Sequence, residues 1–124
     1  MKMQVVKKDN KYYGKLPDTG WISCNMKNGF SGLKARVVGK ILYIAGIVNG
    51  SLTANTFTTV ATLPKEITNV WTAPTNVDAE FTTYCRGQNN SITSVTVSLN
   101  TFEIMLNPSA SGTWARPSIA IPGD

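Results

Sequence analysis

Along the chain, apolar residues gather in short runs that glycine, asparagine and proline interrupt, and no segment sustains a helical period. In residues 92–99, Val95, Val97 and Leu99 alternate with Thr96 and Ser98, the pattern of a strand with one wet face. Residues 41–48 are apolar almost throughout; their β-branched and aromatic content favours a central strand covered on both faces over a helix. Residues 34–38 precede them across Gly39 and Lys40, a two-residue connection whose leading glycine suits a type II′ hairpin turn. Asn28 with Gly29 and Asn49 with Gly50 read as further turns. Additional strands are predicted at 21–24, at 57–63 with Pro64 as the stop, and at 81–86, 92–99, 102–106 and 115–121. Residues 67–80, which include Pro74, read as a strand followed by a long exposed loop. Strands divided by turns at short intervals predict an all-β fold, an antiparallel β-sandwich or jelly-roll-like domain.

Length and charge refine this picture. A chain of 124 residues can bury one core without metals or disulfides. The turn cluster at 16–20 marks the start of the folded body, which gives a basic N-terminal arm at 1–15 and a single β-sandwich domain at 16–124. The formal charge of +5 is concentrated in the arm, where Lys2, Lys7, Lys8, Lys11 and Lys15 face only Asp9. The remainder is close to neutral and lacks the basic face that neutralising several phosphates requires, so no nucleic-acid partner is expected. No apolar stretch is long enough to cross a bilayer, and the arm has no apolar signal core, so neither membrane insertion nor export is expected.

Catalytic chemistry finds little support. Histidine is absent, and with it the commonest general base and transition-metal ligand. Of the acidic residues only Asp78 and Glu80 stand close together, where a solvated pair is the simpler reading than a glycosidase pair. No nucleophile elbow, phosphate loop or dinucleotide fingerprint occurs, and Cys24 and Cys85 match no metal spacing. Both cysteines sit in strand-like runs and read as buried free thiols, a disulfide between them being the alternative. No catalytic residue, metal or cofactor is predicted.

Binding residues are better represented. Trp71, Trp114, Tyr84, Tyr12 and Tyr13 fall at loops or strand ends, where an aromatic face can stack on a sugar or a partner's side chain; Arg86 and Arg116 lie close to two of them. Trp71, Tyr84, Arg86, Trp114 and Arg116 are therefore the candidate glycan-binding residues. For Trp71 and Trp114, core packing and burial between subunits are open alternatives. Trp21 and Tyr43, inside strands, read as core.

Four segments in series resemble the C-terminal head domains of tail and baseplate receptor-binding proteins of phages infecting Gram-positive bacteria. They are Thr19, Gly20, Trp21 and Ile22 leading to Lys27, Asn28, Gly29 and Phe30; the hairpin at 35–46; Ala61, Thr62, Leu63 and Pro64; and the close at Ile119, Ala120, Ile121 and Pro122. The resemblance implies a β-sandwich or jelly-roll head that forms a homotrimer at a virion's tail tip, contacts other phage tail proteins and adheres to host cell-surface saccharide without cleaving it. It transfers no binding motif onto particular residues. Larger members place a shoulder or neck before the head, where this chain has the short basic arm. A purely structural tail or baseplate component is the alternative function. A small sandwich also offers open sheet edges that oligomerisation would cover.

Overall fold

The computed structural model describes residues 4–8, 11–15, 17–75 and 79–124. Asp78 falls outside these, and so does its pairing with Glu80. In the basic arm, β1 (Gln4–Lys8) and β2 (Lys11–Lys15) pair antiparallel as a separate two-stranded sheet.

The remaining strands form one large antiparallel sheet, as the alternation predicts. In chain order they are β3 (Ile22–Ser23), β4 (Asn25–Met26), β5 (Ser31–Val38), β6 (Ile41–Leu52), β7 (Thr58–Thr62), β8 (Glu80–Gly87), β9 (Ile92–Ser98), β10 (Glu103–Pro108), β11 (Gly112–Arg116) and β12 (Ser118–Pro122). Their spatial order is β3-β5-β6-β11-β8-β9-β10-β7-β4, with β12 beside β6. The two ends of this path, β3 and β4, are separated in sequence only by Cys24. Ser23 pairs with Lys34 on β5, the Cys24 N–H donates to the Leu33 carbonyl at 3.0 Å, and Asn25 then pairs with Thr62 on β7. One short segment thus bridges both margins, and the sheet is a nearly closed, barrel-like wall. The open edges expected of a small sandwich are largely absent for this reason.

Inward residues fill the interior. Leu33, Ala35 and Val37 from β5, Leu42, Ile44 and Val48 from β6, Val95 and Val97 from β9, and Ile104 and Leu106 from β10 are all buried. At about 25 cal/mol per Å² of apolar surface, each of the leucine, isoleucine and valine side chains contributes roughly 1.5–3 kcal/mol against chain entropy.

The hairpin turn forms as predicted, with Val38 opposite Ile41 and Gly39 at φ 61°. Asn28 and Gly29 also turn, both at positive φ. Asn49 and Gly50 do not. They lie inside β6, and Gly50, at φ 155°, leaves space into which the Phe30 ring packs; a β-carbon there would collide with it. β6 is central, flanked by β5 on one side and by β11 and β12 on the other. Its outer face is not covered, however, and Ile47 is 45% exposed.

Residues 67–80 also depart from expectation. A short helix, α1 (Lys65–Thr68), follows Pro64, and the backbone bonds Thr68 to Pro64 and Trp71 to Ile67 continue the turn. Ile67 and Trp71, four residues apart, project from the same side and are both buried. No strand forms in the described part of this stretch before Glu80, where β8 begins. Among the described residues, no helix is long and apolar enough to cross a membrane.

Candidate functional site

The aromatic residues separate by face. Trp71 is only 3% exposed, and its indole N–H donates to the Lys40 carbonyl at 3.2 Å, next to the β5–β6 turn. It is a core residue and has no open face to offer a sugar. Trp21 is the reverse: read as core, it lies just before β3 and is 49% exposed, with the Arg36 guanidinium 5.9 Å from its ring centroid. Arg36 is ion-paired with Asp18, which also accepts the Gly20 N–H. These hydrogen bonds, the one from Arg36 foremost, lower the Asp18 carboxyl to about 2. Tyr43, also read as core, points outward from β6 and is half-buried.

The other four candidates share the outer face of adjacent strands. On β8, Glu80, Thr82, Tyr84 and Arg86 alternate outward. Arg86 sits directly opposite Arg116 on β11, and Arg116 lies 5.0 Å from the ring centroid of Trp114 on the same strand. Tyr84 is 70% exposed. The register brings Tyr84, Ser94 and Asn107 into one cross-strand row, with Thr82, Thr96 and Met105 in the next.

This face holds a shallow groove of about 670 Å³. Tyr84, Ile92 and Met105 line it from the strands, and Phe57 and Asn55 enter from the loop between β6 and β7. Backbone bonds fix that loop. The Asn55 N–H donates to the Pro108 carbonyl at 2.7 Å, and Ala54 N–H donates to the Ser111 hydroxyl at 2.9 Å. The Ser109 N–H and hydroxyl oxygen both pair with the backbone of Ile92, holding the near rim. Phe57, Tyr84 and Ile92 are each more than 60% exposed, a concentration of apolar surface that a folded wall normally turns inward.

Polar atoms complete the lining. The Thr82 and Thr96 hydroxyls pair at 3.0 Å, the Ser94 hydroxyl donates to the Asn107 carbonyl, and Asn107 Oδ1 is buried without a hydrogen-bond partner. Glu80 is the only charged residue among the described residues of the lining. Aromatic and aliphatic walls with amide and hydroxyl groups between them can stack on a sugar ring while reading its hydroxyls.

Sequence reasoning found Tyr84 and missed Phe57, Ile92, Met105 and Asn107. A signal existed for two of them. Val95 and Val97 fix the inward phase of β9, which puts Ile92 on the outward phase, and Ile104 and Leu106 do the same for Met105. Asn55 and Phe57 reach the groove through a loop whose path only the fold determines.

Both cysteines are free. Burial pushes the Cys24 thiol up to about 12 and the Cys85 thiol up to about 11, so both stay protonated at neutral pH. Among the described residues, no group of three or more acidic or cysteine side chains could hold a metal ion.

No family model matches the sequence, and no curated protein is similar to it. Among solved structures, the crystal structure of the head domain of phage bIL170, described in connection with a common fold for the receptor-binding domains of lactococcal phages, superposes with a TM-score of 0.62. The match covers 89% of this chain and 100% of that one at 18% identity. The nearly closed antiparallel wall described above is therefore the fold of a lactococcal phage head domain, in line with the resemblance carried by the four sequence segments.

Proposed function

We propose that this chain is a receptor-binding module of a phage or prophage tail, holding a host cell-surface saccharide in the groove between Tyr84 and Phe57 without cleaving it. The observation that carries this reading is the exposure of Phe57, Tyr84 and Ile92 around a groove that Asn107 also lines, on a fold shared with a phage receptor-binding head. Tyr84 and Phe57 supply stacking faces, Asn107 and the hydroxyls supply orientation, and Arg86, Trp114 and Arg116 extend the contact beyond the groove. The module works as a homotrimer at the tail tip, docked on other tail proteins, where repeated weak sites gain avidity.

Binding to purified walls of lactococcal and related Gram-positive strains tests this. Tyr84→Ala and Phe57→Ala should each lower retention on walls about tenfold or more while the fold is unchanged, and the walls should release no reducing sugar. Retention that ignores both substitutions would reject the groove.

The alternative, a purely structural tail component, draws on the same exposed apolar side chains, which a neighbouring subunit could cover. In that case Tyr84→Ala would dissociate the assembly, and no wall would bind.

A further inference from the structure

The outer face of β8 is electrically polar along its length. Glu80 stands at one end, and Arg86 stands six residues away at the other, about 20 Å at the usual rise of a strand. Neighbouring strands reinforce each end. Glu80 pairs with Ser98 on β9, and in the next antiparallel ladder, where Ile104 pairs with Val97, Glu103 precedes Ile104 as Ser98 follows Val97, so a second carboxylate lies in the same cross-strand row. At the far end Arg116 stands directly opposite Arg86.

Neither end has an ion-pair partner among the described residues. Among the described residues the only ion pair is Arg36 with Asp18, on another part of the wall. Like charges facing each other across a ladder are destabilising, so an arginine pair at this position costs the fold something that a bound anion would offset. Arg116 is already held by its stacking on Trp114, which reduces the ordering cost of such a contact. Between the ends, the described residues of the groove lining include no cation, and the one charged residue among them is Glu80. The ends are separated by more than the screening length of about 8 Å in physiological salt, so each attracts its own counter-charge.

We propose that the groove selects a zwitterionic saccharide and holds it in one direction, with an amine toward Glu80 and an anionic group toward Arg86 and Arg116. This rests on the saccharide-binding reading above and adds both a ligand class and an orientation. Tyr84, four residues from Glu80 and two from Arg86 on the same face, stacks on a ring of the saccharide between the charged ends.

The test uses the full chain and purified lactococcal walls in two forms, untreated and treated with acetic anhydride, which converts free amines to uncharged amides and leaves phosphates and carboxylates in place. Wild-type protein should bind acetylated walls about tenfold more weakly, the scale of one charge-assisted contact. Glu80→Gln should bind untreated walls as weakly as wild type binds acetylated ones, and acetylation should weaken it no further. Arg86→Gln should bind both forms more weakly yet keep the tenfold response to acetylation. Equal wild-type binding to both forms overturns the inference. If that binding still depends on Tyr84, the groove remains a saccharide site without this polarity. If no wall binds, or if binding ignores Tyr84→Ala, the functional reading falls with the inference.

Discussion

Three tryptophans of one chain have three different surroundings, and chemistry alone does not tell them apart. Trp71 occupies the core because Ile67, four residues earlier, turns the same way from a short helix. That spacing was present in the sequence, but Pro64 and Pro74 nearby made the stretch read as strand and loop. Trp71→Ala should therefore destabilise the protein by roughly 3–5 kcal/mol, measured by urea denaturation, whereas Tyr84→Ala should stay within about 0.5 kcal/mol of wild type. Trp21 stands outside, beside the Asp18–Arg36 pair. Asp18 has a folded-state value depressed to about 2, below its ordinary 3.8, so its contribution is complete above the ordinary value and disappears as pH falls toward 2. Thermal unfolding followed between pH 5 and pH 2 should show wild type losing more stability than Asp18→Asn. Because the pair is exposed, the difference should be small.

At the level of strands, legibility followed from period. β5 and β10 alternate cleanly, and β9 does so except at Thr96, which is buried although it lies on the outward phase. β6 shows where pattern reading breaks down. Its apolar run indicated two covered faces, yet half of that run faces outward beside small and half-buried neighbours. Asn49 and Gly50 have the composition of a turn, but Gly50 is needed for the close approach of Phe30, a contact between segments about which local sequence says nothing. The groove was legible to the same degree. Tyr84 and the two arginines came from residue type, Ile92 and Met105 were recoverable from strand phase, and the loop that supplies Phe57 required the tertiary fold.

The whole molecule is a wall whose two margins meet at Cys24, and this changes the argument for assembly. The ends of the strand path no longer call for partners, because β3 and β4 are already paired with β5 and β7, although β12 pairs only with β6. Repetition of a weak site is then the stronger physical reason for association. Sedimentation at micromolar concentration should reveal a trimer, and a monomer throughout that range would remove the avidity part of the functional proposal.

Strand alternation also separates two tasks on a single stretch of backbone. On β9 the odd-numbered side chains maintain the interior while Ile92 and Ser94 face the groove, and on β10 Met105 and Asn107 do the same between buried neighbours. Substitution at the outward positions can accumulate without disturbing what lies behind them. Under the proposed receptor-binding role, preference for a host could be rewritten there one residue at a time while the architecture stayed the same.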